Sequence, residues 1–146
     1  MNLIKENFTE LQVKITDINY GNHMGNDKAL LFFQDARIQF LRLFGYDEHS
    51  IGSNSGIIIG EAHVYFKKEV FLYDVLSATV SIEDIKQKSF VMKYSFQRKN
   101  DAVCVFEGST LIYAFDYLTR RACLLPEAFK KTISDNESKT DDIELL

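Results

Sequence analysis

One short run of the sequence concentrates the side chains that can do chemistry. Between Asp17 and Asp27 stand Asp17, Asn19, Tyr20, Asn22, His23, Asn26 and Asp27, interrupted by Gly21 and Gly25. Carboxylates and an imidazole accept protons near neutral pH, and amides orient water or a carbonyl. Glycines permit positive φ and close approach of the backbone. The same residue types also build ordinary turns and caps, so composition alone leaves both uses open. Outside this run the candidates are sparser. Glu61 and His63 share one face of a strand pattern, and Lys67 and Lys68 end that strand as cations suited to phosphates. Cys104, among Val103, Val105 and Phe106, reads as inert packing. Ser109 and Thr110 lack a G-x-S-x-G elbow.

The elements that hold this run follow from periodicity. Residues 8–15 alternate, with Thr9, Leu11, Val13 and Ile15 on one side, which predicts a strand leading into the loop. After the loop, Asn26 is the expected N-cap and Asp27 places negative charge in the first turn of a helix. That helix runs to about Phe44, with Gly45 as its C′ residue. At 100° per residue, Ala29, Phe32, Phe33, Ala36, Phe40, Leu43 and Phe44 form one apolar arc, widened by Leu30 and Leu41. Arg37 is flanked by apolar residues and needs a partner there. The loop thus ends at a helix start, where free N–H groups and the helix dipole favour an oxyanion.

The chain continues in period two: a strand over 57–68, then 75–85, 89–98 and 102–115, with a tight turn at 99–101. In the first of these, Ile57, Ile59, Glu61, His63 and Tyr65 are expected on one face. A short strand over 122–125 and a helix opened by Pro126 follow. A strand, a long buried helix and a run of antiparallel strands make an α+β layout, a sheet wrapped around a central helix. Such a sheet leaves open edges, and pairing with a second copy covers them. Residues 1–133 are expected to form one domain and 134–146 an acidic, disordered tail.

Composition narrows the partners. The chain has 146 residues, net charge −4, 12 Phe, 7 Tyr and 2 Cys. No basic patch points to nucleic acid, no apolar run is long enough to span a membrane, and the N-terminus carries no signal-peptide core. The two cysteines lack metal or redox spacing. A cytoplasmic protein with no metal is the expectation.

Asp17, Asn19, the segment 22–26 (NHMGN) and the segment 32–37 (FFQDAR) together resemble a known family. They are similar to the D-x-D-x-x-G-H-x-N-N-like loop and acidic-Ala-Arg helix of hotdog-fold acyl-CoA thioesterases of the 4-hydroxybenzoyl-CoA thioesterase type. The resemblance extends over residues 8–132. It implies a sheet wrapped around the helix and a homodimer or homotetramer with sites at subunit interfaces. It also implies hydrolysis of an acyl thioester, carried by CoA or an acyl carrier protein, with CoA as part of the substrate and no separate cofactor. The family's catalytic aspartate falls at Asn19, an amide that cannot take a proton from water. Asp17 and His23 are the candidate bases, with Asp27 a third, and Asn19 would position water or substrate. Gly25, Asn26 and Asp27 would supply oxyanion N–H groups, and His63, Lys67 and Lys68 would bind substrate. A non-catalytic acyl-CoA-binding protein and a dehydratase on the same fold are the alternatives.

Overall fold

A computed structural model describes residues 3–137. Six strands and two helices follow in the order β1 (Leu3–Gln12), α1 (Ala29–Leu43), β2 (Gly56–Phe66), β3 (Val75–Glu83), β4 (Ser89–Arg98), β5 (Cys104–Asp116), β6 (Arg121–Ala122) and α2 (Glu127–Asp135). The sheet is antiparallel with strand order β1-β3-β4-β5-β2, and β6 extends the end of β5. β1 and β2 are therefore its edges. The α+β reading stands: the sheet's inner face closes over α1. The tail beyond Glu137 lies outside the described residues, and α2 runs on past the expected domain limit to Asp135.

Aromatic packing fixes α1 on the sheet. Phe33 stacks on Tyr94 at 4.4 Å between ring centroids, with Phe96 and Phe106 beside it. Gly108 makes this approach possible, since a Cβ there would lie 2.7 Å from the Phe33 ring and 2.0 Å from the His63 carbonyl oxygen. Ala29, Phe32, Ala36, Phe40 and Leu41 complete the buried stripe. Leu30 and Leu43, expected in the arc, are instead exposed, because the sheet covers a narrower part of the helix than its composition allows. Gly45 follows with φ +82°, the left-handed end that the sequence predicts.

Arg37 finds its partners. Its Nε donates to Glu48 Oε2 at 3.0 Å and a terminal nitrogen donates to Tyr94 Oη at 3.0 Å. Tyr94 and Thr110 share a further hydrogen bond of 2.7 Å. Burial works against the guanidinium's charge, but Tyr94 and Glu48 outweigh it and hold Arg37 above its ordinary range. Burial pushes the Tyr94 phenol up, so it stays neutral.

Three irregularities depart from strict alternation. β1 begins five residues before the expected start, and its pairing with β3 jumps between Lys5 and Thr9, around Asn7 at φ 44°. In β2, Ile59 pairs with Ile112 and Glu61 with Leu111, so Gly60 is an extra residue. The expected shared face of Ile57, Ile59, Glu61, His63 and Tyr65 is therefore wrong. Ile57 and Ile59 lie opposite the inward Ala114 and Ile112, whereas His63 and Tyr65 lie opposite the outward Ser109 and Glu107. In β5, Val105 is the extra residue, and its carbonyl accepts the N–H groups of Lys67 and Lys68.

Candidate active site

The polar run folds into a tight hairpin, not a continued strand. β1 ends at Gln12, and Ile15–Asp17 form a 3-10 turn. The Asn19 N–H then donates to the His23 carbonyl at 3.0 Å, and the Gly25 N–H to the Asp17 carbonyl at 2.9 Å. Asn22, at φ 63°, takes the left-handed position in the turn. Gly21 and Gly25 have ordinary φ, and they serve by leaving space. A Cβ at Gly21 would stand 2.8 Å from His23 Nε2, and one at Gly25 would stand 2.5 Å from Asp27 Oδ1.

This geometry separates the expected site residues. Asp17 does not share a strand face with Asn19. Its carboxylate accepts the Lys14 N–H at 2.8 Å and lines a groove with Glu10, Leu31 and Asp35. His23 and Asn26 line a different pocket, of about 240 Å³, together with Phe66, Lys67, Lys68, Glu69, Val70 and Phe106. His63 is on the outer sheet face, exposed and 3.3 Å from Glu61, remote from the inner face that carries α1. The bulge at Gly60, invisible to a period-two reading, leaves it there.

Within the pocket the donors are specific. Asn26–Lys28 form a 3-10 turn that runs into α1, with Gly25, extended at φ −69°, as the N-cap in place of Asn26. The Gly25 and Met24 N–H groups are already used, by the Asp17 and Val70 carbonyls. Among the described residues, the N–H groups of Asn26 and Asp27 meet no acceptor, as the first donors of a helix do. His23 Nδ1 lies 3.0 Å from the Met24 carbonyl oxygen, which only accepts, so Nδ1 carries the proton and Nε2 offers its lone pair. Asn19 Oδ1 accepts the Gly21 N–H at 2.9 Å, leaving the amide NH₂ as its free donor.

The two lysines differ. Lys67 Nζ pairs with Glu107 at 3.0 Å on the outer side, and that bond holds its ammonium above the ordinary range. Lys68 has no ion pair among the described residues. The loop beneath the pocket is clamped by Arg98, a residue the sequence did not single out. Its Nε donates to Asp74 at 3.2 Å, and its other nitrogens reach Asp101 at 3.0 Å and the Glu69 carbonyl. The next carbonyl, Val70, accepts the Met24 N–H at 2.7 Å, so the clamp bears on the hairpin itself.

The model of the thioesterase-like superfamily matches residues 13–133, most of the chain. The chain belongs to that superfamily. No curated protein matches it in sequence. Solved structures agree with this thioesterase-like protein in fold. A gentisyl-coenzyme A thioesterase superposes with a TM-score of 0.74 at 20% identity, covering 84% of this chain and 98% of that one. A 1,4-dihydroxy-2-naphthoyl-CoA thioesterase from Synechocystis gives 0.79 at 17% identity, covering 92% and 97%. A Staphylococcus aureus protein in complex with CoA gives 0.75 at 19% identity, covering 93% and 84%. The fold of the thioesterase-like protein is thus the hotdog fold. No described helix is long and apolar enough to cross a membrane. No described group of His, Cys, Asp and Glu is placed to hold a metal ion.

Proposed function

We propose that the protein hydrolyses an acyl thioester of coenzyme A to the free acid and the thiol. The observation that carries this reading is the pocket that joins His23 with the start of α1, where the Asn26 and Asp27 N–H groups meet no acceptor among the described residues. Those donors, aided by the helix dipole, suit the negative charge that grows on a thioester carbonyl under attack. Phe66 and Phe106 offer an apolar wall to the acyl group, and Lys68 a cation to the phosphates of the carrier. His23 Nε2 faces no competing donor and accepts a hydrogen bond from the attacking water. Superfamily membership supports thioester chemistry, and the CoA complex of a protein of the same fold supports CoA as the carrier.

The open edge of β2 is the face we assign to a second copy. It runs from Gly56 to Phe66 beside the pocket and exposes Ile58, Ile59, Tyr65 and Phe66. A two-fold pairing there would bring the far end of the partner's strand against this pocket.

The test is thiol release from a panel of short, long and aromatic acyl-CoAs by wild type, Asp17→Ala and His23→Ala. Hydrolysis by wild type, retained in Asp17→Ala and lost in His23→Ala, is the expected pattern. Tight CoA binding without thiol release from any substrate would instead favour an acyl-CoA-binding protein. That second reading has its own support, since no carboxylate stands at position 19.

A further inference from the structure

The hydrolysis proposed above is served best by a carboxylate that takes the proton of water beside His23, and the hairpin lacks one at Asn19. Asp17 is turned away, its carboxylate holding the Lys14 N–H in a separate groove. Two other carboxylates are near: Glu69 lines the pocket with His23, and Asp27, outside that lining, packs against Gly25 of the hairpin itself. Asp27 Oδ1 stands 2.5 Å from where a Gly25 Cβ would be, and the Asn19 Cβ stands 3.7 Å from the same point. Asp27 thus folds back over Gly25 toward Asn19, into space that any side chain at position 25 would fill. Gly25 needs no glycine for its backbone, which is extended at φ −69° and ψ 146°. The missing side chain is explained by the carboxylate that occupies its place. Asp27 is exposed and, among the described residues, its one ionic neighbour is Lys28, at 4.0 Å.

We infer that Asp27 is the general base of this site, standing in for the carboxylate absent at Asn19; the inference rests on the thioesterase reading. One O–H of the attacking water points to His23 Nε2 and stays bonded. The other proton passes to the Asp27 carboxylate as the water oxygen bonds to the thioester carbon. The carbonyl π electrons move to oxygen, which the Asn26 and Asp27 N–H groups hold. Collapse restores the carbonyl, breaks the C–S bond and sends the electron pair to sulfur, which takes the proton back from Asp27. The products are the acid and the thiol, and the carboxylate is regenerated.

The experiment compares kcat and KM for wild type, Asp27→Asn, Gly25→Ala and the double variant Asp27→Asn with Asn19→Asp, using the best acyl-CoA of the panel. General-base removal lowers kcat by about 100-fold or more, with KM within about threefold, and the exposed isosteric change leaves the circular dichroism unaltered. Gly25→Ala, which displaces the same carboxylate, lowers kcat in the same way. Moving the carboxylate to position 19 in the double variant recovers at least about tenfold of the loss. An Asp27→Asn enzyme within about threefold of wild type, or no recovery in the double variant, overturns the assignment while leaving the thioesterase reading intact. A wild type that releases no thiol overturns both.

Discussion

Lys67 and Lys68 are adjacent in sequence, identical in type and both line the pocket, yet among the described residues only Lys67 is ion-paired. Lys67 is held by Glu107, while Lys68 faces the pocket unpaired among the described residues. Lys68→Ala should raise KM for an acyl-CoA by roughly fivefold at unchanged kcat, the size of one exposed ionic contact, and Lys67→Ala should leave it near wild type. Steady-state kinetics at low salt reads the difference. The glycines make a similar point. Gly21→Ala would drive a Cβ into His23 Nε2, at 2.8 Å, so activity should fall while the melting temperature stays close to wild type. The sequence marks both lysines and both glycines as functional candidates. It does not say which lysine is paired, because Glu107 lies far along the chain. Nor does it show that the glycines provide room and not positive φ. That depends on where the imidazole and carboxylate of neighbouring residues settle.

Arg37 illustrates what an element-level reading captures. The helix pattern demands a partner for a cation set among apolar residues, and the fold supplies Glu48 and Tyr94. Their identity was beyond periodicity, since one lies in the loop before β2 and the other in the middle of β4. Arg37→Ala leaves the buried Tyr94 phenol and the partly buried Glu48 carboxylate without their donor and should cost about 1–3 kcal/mol, measured by urea denaturation. Gly108→Ala should be at least as severe, because the Cβ meets the His63 carbonyl and the Phe33 ring at once. At a third place, stability and catalysis meet. Arg98 ties β4 to the loop whose Val70 carbonyl holds the Met24 N–H. Arg98→Ala should therefore speed hydrogen exchange at Met24 more than at the central amides of β3 and β4. The succession of elements along the chain and the C-terminal end of α1 were legible from alternation and the Gly45 cap, while the order of strands in the sheet and the start of α1 were not. The start of β1 was not, because Asn7 breaks the alternation there.

For the molecule as a whole, the open edge of β2 predicts a second copy. Sedimentation should report a dimer or larger for wild type, and a charge at Ile59, as in Ile59→Lys, should shift it toward monomer with little change in fold. Gly60 bears on the same strand in another way. Deleting a residue from a strand ordinarily turns every later side chain onto the opposite side of the sheet, which few proteins survive. Position 60 is a place where the count can drop by one without that inversion, since Ile59 and Glu61 already pair with the consecutive residues Ile112 and Leu111. A chain lacking Gly60 should keep Val64 and Phe66 inward and melt within a few degrees of wild type. A chain lacking His63, three residues on, should not fold. Gly60 is thus a natural site for shortening or lengthening this edge, and with it for tuning how two copies would meet, without rewriting the core.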